Sequence, residues 1–452
     1  MNGIFKQIEN KNVRDGLYYS IIDGILWAIM FGFAENYIVP FALLFGASVF
    51  QIGLLQGLYQ LGIGFSQLLG AKFITRFKKR KTLSINASRI HAFSWFFMVL
   101  IGIFIKEPWA IIIVFFIGIS ATSFGGPGWL SWMNDLVPHK LRGKFWGFRN
   151  TILGAVQFAA ISIAGLSLYF AKKAGHELTA FLVLFTLAFI SRVSNFYPLG
   201  KQLEQPISVP SREKEFHFRI FLTKLFPTNF GRFTIFVILI SFAANLVGPF
   251  IPVFILQSLG FNYIQFTVIL MTASIFSFVF MTYWGPLSDK YGNYRILYIT
   301  AVSMPLLALG WAFIKNFYLL ILLQTFSGFL WAGFNLATTN FIFDAVRREN
   351  VTKIMAYFNT LNTTFAFLGA FVGGISVEIL QKAHFSFWVF NHFTIVFAIS
   401  FILRIIILLI FLKNFNEVRK VEKSPAFHYF YIYKPTNDLL SVFEVLKQRI
   451  IK

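Results

Sequence analysis

The chain has 452 residues, of which 57% are hydrophobic and only 13% are charged, and it contains no cysteine. A chain this apolar cannot hide its surface in a soluble core, so the composition excludes an ordinary soluble protein and predicts a polytopic membrane protein. The lack of cysteine excludes disulfides and thiolate metal sites. The formal charge of +22 would suggest nucleic acid in a soluble protein. Here the charges are placed against a lipid bilayer instead, and we predict no nucleic-acid partner.

Continuous apolar runs of about twenty residues or more predict membrane-spanning helices rather than the alternating strands of a barrel. Residues 1–16 are polar and lack a cleavable signal pattern, so we expect the first helix to direct insertion. We predict twelve helices, at about 16–45, 50–73, 83–105, 108–136, 145–171, 178–198, 233–259, 263–287, 296–314, 317–346, 354–380 and 385–412.

The basic residues predict the orientation of these helices. The loops after helices 2, 4, 6, 8 and 10 carry most of the Lys and Arg, which by the positive-inside rule predicts that both termini are cytoplasmic, in an inner or plasma membrane. The predicted divisions are a cytoplasmic tail (1–16), a first six-helix bundle (17–200), a cytoplasmic inter-bundle loop (201–231), a second six-helix bundle (232–413) and a cytoplasmic tail with an amphipathic helix (414–452).

The chain repeats itself at an offset of 209 residues. Residues 33–41 read FAENYIVPF and residues 242–250 read FAANLVGPF, so five of nine positions are identical. The same offset matches Asp135 with Asp344. Because the offset spans an even number of helices, the two copies have the same topology, as in parallel repeats related by an axis along the membrane normal. The conspicuous difference is Glu35, which is replaced by Ala244 in the second copy.

A motif after the eighth predicted helix points to a family. Residues 285–295 read GPLSDKYGNYR, which resembles the major facilitator superfamily signature Gly-x-Leu-x-Asp-x-x-Gly-[Arg/Asn]-x-[Arg/Lys]. The resemblance implies an all-α membrane protein with twelve transmembrane helices in two pseudo-symmetric six-helix bundles around a central cavity. It also implies alternating access, in which one bundle rocks against the other. Residues 70–78 depart from the pattern, since they place Thr75 close to the position of the aspartate.

The resemblance further implies a gate. In the family, the aspartate docks near a helix N-terminus of the opposite bundle, where the helix dipole favours an anion. We therefore expect Asp289 to approach the start of helix 5, near 142–151, when the cytoplasmic side is closed. The predicted gating residues are Asp289, Gly285, Gly292, Arg295, Arg142, Arg149, Asp135 and Asp344.

Glu35 is the predicted proton-coupling residue. It lies inside the apolar run 19–47, where an ionisable side chain costs roughly 2.5 to 3.5 kcal/mol and by default marks a functional site. Apolar surroundings favour the neutral form of a carboxyl group in general, which suits a residue that exchanges protons. Gln56 and Gln60 lie at about the same depth, so we hypothesise that one of them hydrogen-bonds Glu35. The alternative is that these glutamines only hold helices together.

Other polar residues within the helices are candidates for the substrate cavity. The family lines its cavity with the first and fourth helices of each half, and residues 125–128 (GGPG) weaken helix 4. With Gln56 and Gln60, the candidates are Asn245, Trp129, Trp132, Asn335, Thr338 and Asn359. The tryptophans could instead simply pack. We expect Asp23 to pair with headgroups or Arg89, His91 to pack, and Arg192 and Arg404 to snorkel to the cytoplasmic surface.

Without a phosphate loop, a metal-spaced histidine cluster or a nucleophile triad, the sequence predicts neither an enzyme nor an ATP-driven pump, and no metal or cofactor. We predict a monomeric secondary transporter that moves a small-molecule substrate, with protons as the coupling ion. The alternatives are a lipid-handling flippase or scramblase, or a non-transporting receptor, on the same fold. An enclosed polar chamber would favour a solute, whereas a membrane-open apolar groove would favour lipids. The direction of transport stays open. The lone acidic residue in the middle of helix 1 fits a proton/drug antiporter, but the glycine-proline element that such exporters usually carry in helix 5 is absent from 154–165.

Overall fold

The computed structural model describes residues 8–77, 79–204, 218–383, 391–419 and 421. The amphipathic helix predicted near the C-terminus lies outside these ranges. The described chain contains twelve long helices, which we label α1 (Lys11–Leu44), α2 (Val49–Phe77), α3 (Arg80–Ile105), α4 (Pro108–Leu136), α5 (Arg142–Lys173), α6 (Glu177–Lys201), α7 (Asn229–Ser258), α8 (Tyr263–Tyr291), α9 (Asn293–Phe313), α10 (Phe317–Ala345), α11 (Val351–Lys382) and α12 (His392–Asn414).

Eleven of these helices are long and apolar enough to cross a membrane. The exception is α2, which is 29 residues long but carries Gln51, Gln56, Gln60 and Gln67 along its length. A helix of that length rises about 43 Å, which exceeds the roughly 30 Å of a bilayer core. The described part of the chain therefore has twelve helices of membrane-spanning length, in agreement with the sequence prediction.

The helices form two bundles with the same internal packing. In the first bundle, α1 packs against α5 and α6, α4 packs against α2 and α3, and α3 packs against α6. In the second bundle, α7 packs against α11 and α12, α10 packs against α8 and α9, and α9 packs against α12. Each pair in the first bundle has its counterpart six helices later, so the predicted pseudo-symmetry is confirmed.

The bundles meet along two helix pairs, α2 with α11 and α5 with α8. We call the side where α1 begins and α8 gives way to α9 the terminal face, and the side with the turn at Gly46 the far face. The contacts lie towards the far face. Ser48 Oγ is 3.3 Å from Glu378 Oε2, and Tyr37 Oη is 2.8 Å from Thr267 Oγ1. A side chain at Gly53 would lie 2.8 Å from the Ala370 carbonyl oxygen.

Towards the terminal face the bundles stand apart. A Cβ atom at Gly143 or Gly147 of α5, or at Gly285 of α8, would meet open space within 4 Å. The structure is therefore closed between the bundles at the far face and open at the terminal face.

Both α1 and α7 are interrupted at the repeated motif. In α1 the α-helix ends at Phe33 and a 3₁₀ turn covers Glu35–Tyr37. Four residues after Asn36 comes Pro40, which has no N–H to donate to the Asn36 carbonyl and crowds that turn. The second copy has the same helix break, since the α-helix ends at Asn245, four residues before Pro249. The repeated Asn-x-x-x-Pro spacing thus breaks the first helix of each bundle at the same place.

Candidate solute-binding cavity

Glu35 lies in the helix break of α1 and points into the first bundle. Its side chain is 7% exposed, and Oε1 is 3.7 Å from His91 Nε2 of α3. Tyr59 of α2 and Arg192 of α6 lie within electrostatic range of the carboxylate. The break in α1 therefore holds the one carboxylate of the repeated motif among groups from three other helices.

The predicted hydrogen bond between Glu35 and a glutamine is not formed in the described structure. Gln56 and Gln60 are half-buried on α2, and the neighbouring Gly57 packs against Phe367 of α11. At Gly57 this stretch of α2 therefore packs on the second bundle. Depth in the membrane does not by itself set which way the side chains of α2 point.

A cavity of about 340 Å³ lies within the first bundle and receives side chains from α1, α3, α4, α5 and α6. Its polar lining residues are Asp23, Ser84, Ser88, Thr122, Arg149, Asn150 and Arg192. Trp27 and Trp129 provide aromatic walls. A volume of this size lies at the low end for small-molecule sites, so the cavity suits a small ligand.

Asp23 and Arg149 form a buried ion pair at this cavity. Arg149 Nη2 is 3.8 Å from Asp23 Oδ2, and Arg149 Nε donates to the Ser20 carbonyl at 3.2 Å. Asn195 Nδ2 donates to Asp23 Oδ1 at 2.7 Å. The expected pairing of Asp23 with Arg89 is wrong, since Arg89 contacts Asn86 on its own helix. The sequence suggested that Asp23 and Arg149 lie near the surface, whereas the structure places both side chains in the interior.

Arg192 lies inside the bundle, so its predicted snorkelling is also wrong. It is 6% exposed, and Nη2 donates to Thr122 Oγ1 at 3.3 Å. It interacts electrostatically with both Asp23 and Glu35. Arg404 likewise does not snorkel, because it is 5% exposed and donates to the Met304 carbonyl at 2.8 Å. A buried charge in a membrane helix signals function by default, and applying that rule to Arg192 would have found it.

The second bundle has no equivalent of this polar centre at the matched positions. Arg149 corresponds to Phe358 at the offset of 209, and Gly24 corresponds to Phe233. In the first bundle a Cβ at Gly24 would lie 2.6 Å from Arg149 Nη2. In the second bundle the rings of Phe233 and Phe358 stack with centroids 6.2 Å apart. The same helix crossing thus carries an arginine over a glycine in one half and two phenylalanines in the other.

The substrate candidates divide into those near the cavity and those elsewhere. Trp129 lines the cavity, with the Arg149 guanidinium 4.7 Å from its ring centroid. Trp132 does not line it, because it is fully buried and its Nε1 donates to the Leu203 carbonyl at 2.6 Å. Trp132 therefore packs, as the alternative interpretation of the tryptophans allowed.

The candidates in the second bundle do not reach this cavity. The Asn245 amide donates to the Ser241 carbonyl at 2.9 Å within the interrupted part of α7. Asn335 and Asn359 are exposed, whereas Thr338 is 8% exposed and its hydroxyl is buried without a hydrogen-bond partner among the described residues.

The predicted gating residues lie at the terminal face, except for Arg149. Gly285 is inside α8, Gly292 separates α8 from α9 at a φ of 90°, and Arg295 follows in the first turn of α9. Arg142 donates to the Asn134 carbonyl at 2.7 Å within its own bundle. Asp135 binds Arg80 at 2.5 Å.

The remaining predicted gating residues, Asp344 and Asp289, contact the segment that follows α12. Arg419 Nε is 2.9 Å from Asp344 Oδ2, and Nη1 is 3.7 Å from Asp289 Oδ1. The Asp289 side chain is 79% exposed. Phe415 anchors this segment, since it is fully buried against Phe233 and Phe341. With the terminal face open, Asp289 thus contacts the chain's own C-terminal segment and not α5.

Among the described residues, no group of three or more His, Cys, Asp or Glu side chains is placed to hold a metal ion.

Comparison with known proteins identifies the family. The model of the Major Facilitator Superfamily matches residues 5–161 and 233–449, which is more than half of the chain. The chain belongs to this superfamily. It is therefore a multi-pass integral membrane protein of a transporter family, as the signature at 285–295 indicated.

Individual relatives are more distant. The chain is 27% identical over 203 residues to the multi-drug resistance efflux pump PmrA of Streptococcus pneumoniae, in strains TIGR4 and R6. The match covers 44% of this chain and 49% of the relative, so the chain spans about half the length of the curated relatives it matches.

Solved structures share the fold of this superfamily member at low identity. The nucleoside transporter NupG aligns with a TM-score of 0.61 at 15% identity, over 89% of this chain and 98% of that one. The D-xylose-proton symporter aligns with a TM-score of 0.64 at 14% identity, over 91% and 99%. The POT family transporter PepTSo aligns with a TM-score of 0.67 at 14% identity, over 87% and 97%. These likenesses establish the fold alone.

Proposed function

We propose that this protein is a secondary active transporter that moves a small solute by alternating access, with proton coupling through Glu35. The membership of a transporter family supports the transporter class. The opening between the bundles at one face only supports alternating access, since a rocking motion would exchange which face is open. The predicted cytoplasmic location of both termini makes the open face the cytoplasmic one.

The observation that carries the coupling proposal is the position of Glu35. Its carboxylate is buried at a helix break and lies within electrostatic range of Arg192, which also lines the cavity. Gain or loss of a proton on Glu35 therefore changes the charge beside a cavity residue. An ionisable group buried within a membrane bundle is costly unless it has such a role.

Proton-driven transport in proteoliposomes tests the proposal. We expect an imposed pH gradient to drive accumulation of at least one solute from a panel of sugars, organic acids and cationic drugs. Glu35→Gln keeps the size and hydrogen-bonding shape of the side chain but cannot bind and release the proton. We expect this variant to lose gradient-driven accumulation while it retains exchange of the same solute across the membrane.

The matched control is Glu107→Gln, which removes an exposed carboxylate immediately before α4. This variant should keep proton coupling. Coupling that survives unchanged in Glu35→Gln would remove Glu35 from the mechanism. The sign of the gradient that drives movement separates symport from antiport. The name of PmrA describes efflux, and that of the D-xylose carrier describes symport with protons.

The polar lining of the cavity favours a solute over a lipid as the substrate. Asp23, Arg149 and Arg192 contribute three formal charges to its wall, and burying an acyl chain beside them would leave these charges without polar partners. A flippase or scramblase on this fold would need an apolar groove open to the membrane. The same proteoliposomes, with fluorescent phospholipids in place of the solute, test this alternative.

We further propose that Asp289 acts at the gate when the terminal face closes. The open structure leaves its side chain exposed and near Arg419. Closure would bring the start of α5 towards α8, where the N-terminal dipole of α5 favours a carboxylate. Arg419 would then have to release Asp289, so the C-terminal segment competes with the gate for the same group.

The substrate contacts proposed in the second bundle are Asn245, Asn335, Thr338 and Asn359, together with Gln56 and Gln60 on α2. Their support is that the hydroxyl of Thr338 lacks a partner among the described residues and that Asn335 and Asn359 are exposed.

A further inference from the structure

The cavity of the first bundle carries a surplus of positive charge. Of its lining residues, Arg149 and Arg192 are cationic and Asp23 is anionic, while the other polar residues are neutral. Their formal sum is +1, and it stays unbalanced while Glu35, which lies beside Arg192 outside the cavity wall, is protonated. A charge buried in a low-dielectric interior is costly without a partner, so a cavity with one unbalanced positive charge is suited to a monovalent anion.

We propose that this cavity binds a small organic anion with a planar apolar body, and that Arg192 couples its binding to protonation of Glu35. The binding site goes beyond the proposed function, whereas the coupling step rests on it.

The arginines have donors to offer such an anion. Arg192 Nε is buried and has no hydrogen-bond partner among the described residues. The contact of Arg192 with Thr122 uses a single nitrogen at 3.3 Å. The nearest oxygen of Asp23 is 3.8 Å from Arg149 Nη2, which is beyond hydrogen-bond distance. A guanidinium presents five N–H groups in a fork that matches a carboxylate, so both arginines can bind one further oxygen.

The apolar walls of the cavity determine which kind of body the anion can have. Trp27 and Trp129 face it together with Ala87 and Leu153. The indole nitrogen of Trp129 is buried without a partner among the described residues. Flat aromatic walls beside two guanidinium groups suit a planar apolar ring that carries one carboxylate.

The cavity is reached from the space between the bundles. Gly126 of α4 lines it, and a Cβ there would meet open space within 4 Å. Asn150 of α5 also lines the cavity and is exposed. A solute that enters from the open terminal face therefore has a path to Arg149 and Arg192.

Arg192 connects the anion to the proton. It interacts electrostatically with Asp23 and with Glu35, and it also faces His91. The other titratable groups facing Glu35 are His91 of α3 and Tyr59 of α2. When Glu35 gives up its proton to water, its carboxylate competes with the bound anion for the positive charge of Arg192. When Glu35 takes a proton from water, that competition ends, so proton and anion favour each other's binding.

Equilibrium binding to the full chain in detergent, without any gradient, tests the site. The probes are radiolabelled benzoate, neutral benzamide and cationic benzylamine, which share one ring and differ in charge. Between about pH 6 and pH 8 benzoate remains ionised, because its carboxyl group is of the ordinary acidic type. We expect saturable binding of benzoate and at least about tenfold weaker binding of the other two probes.

Arginine variants assign the binding to the cavity. Arg192→Gln should weaken benzoate binding at least about tenfold, and Arg192→Lys should recover part of it. The matched control is Arg404→Gln, which removes a buried arginine from α12 of the second bundle and should leave benzoate binding unchanged. Size-exclusion profiles verify that each variant is folded. If Arg192→Gln does not fold, the charge series and the proton uptake of the wild-type protein still decide the proposal.

Proton uptake tests the coupling. Benzoate binding to the wild-type protein in weakly buffered solution should take up protons, and its affinity should fall as the pH rises through the range in which Glu35 ionises. In Glu35→Gln, both effects should disappear while benzoate still binds, and His91→Gln should retain them.

The outcomes separate this inference from the proposed function. Absence of benzoate binding, equal binding of benzamide, or binding unaffected in Arg192→Gln would overturn the anion site, yet pH-driven transport of another solute could still occur. Anion binding without proton uptake would overturn the coupling through Arg192 and leave the site in place.

Discussion

At the scale of single residues, the buried pair of Asp23 and Arg149 distinguishes the two halves of the molecule. At the offset of 209, Arg149 corresponds to Phe358, which stacks on Phe233, whereas Asp23 corresponds to Arg232. The second bundle therefore has no ion pair at the matched positions. Replacing a buried ion pair by apolar side chains is often neutral, whereas removing one partner leaves a buried charge and is strongly destabilising.

Arg149→Met should lower the stability of the protein by about 3 to 5 kcal/mol, because it removes the ion-pair partner of the buried Asp23 and leaves the carboxylate to Asn195 and the positive charge of Arg192. The double variant Asp23→Asn/Arg149→Met should recover most of this loss, since it removes both charges. Thermal unfolding in detergent, followed by tryptophan fluorescence, measures the difference.

Arg142→Met at the terminal face is the control and should have a much smaller effect. A double variant that is no more stable than Arg149→Met would show that the two side chains are not energetically coupled.

At the scale of elements, the approach of α2 to α11 depends on glycine. A Cβ at Gly64 would overlap Thr363, and one at Gly53 would lie 2.8 Å from a backbone carbonyl oxygen of Ala370. The backbone oxygen cannot rotate away as a side chain can. The far-face contact between the bundles is therefore available only while position 53 has no side chain.

Gly53→Ala should shift the protein away from the state closed at the far face, because overpacking of this kind costs about 1 to 3 kcal/mol. The control is Gly200→Ala on α6, where a Cβ meets open space and alanine is the better helix former. Transport should fall in Gly53→Ala and remain in Gly200→Ala. Equal transport in the two variants would mean that the α2–α11 contact is not required in the cycle.

At the scale of the whole molecule, the structure corresponds to one of the two states that the proposed alternating access requires. The far face is held by contacts such as Ser48 with Glu378, and the terminal face is open. The sequence contains no cysteine, so cysteines introduced at chosen positions are the sole thiols of the protein.

The pair Ser48→Cys/Glu378→Cys should cross-link with a short thiol reagent and stop transport, because the rocking motion requires the far face to open. A reducible reagent should allow transport to recover on reduction. Adding Asp289→Asn should raise the yield of cross-link, since it weakens the state in which the terminal face is closed. An unchanged yield would exclude Asp289 from the gate, and either single cysteine serves as the control.

Some candidate site residues can be found from the sequence, whereas the positions of others are set only by how the helices pack. Glu35 is evident in the sequence because its repeat partner is Ala244 and its surroundings are apolar, both of which are local features. The groups near Glu35 are not evident in the sequence, since His91, Tyr59 and Arg192 come from three other helices. Gln56 and Gln60, at the matching depth, form no hydrogen bond with Glu35 in the described structure. The sequence pattern places Arg149 at the gate near the start of helix 5 and lets Arg192 snorkel to the cytoplasmic surface, because position along the chain does not show which way either side chain points.

The sequence by itself determined the twelve membrane helices, the duplication and the family, because hydropathy, repeat offset and a short signature are all written along the chain. Only the tertiary structure decided that Asp23, Arg149 and Arg192 share one cavity, and that Arg192 also reaches the charge of Glu35. These residues come from α1, α5 and α6, and their meeting depends on how each helix is rotated about its axis when six of them pack together. That rotation is set by the combined fit of all the side chains in the bundle, which no single stretch of sequence contains.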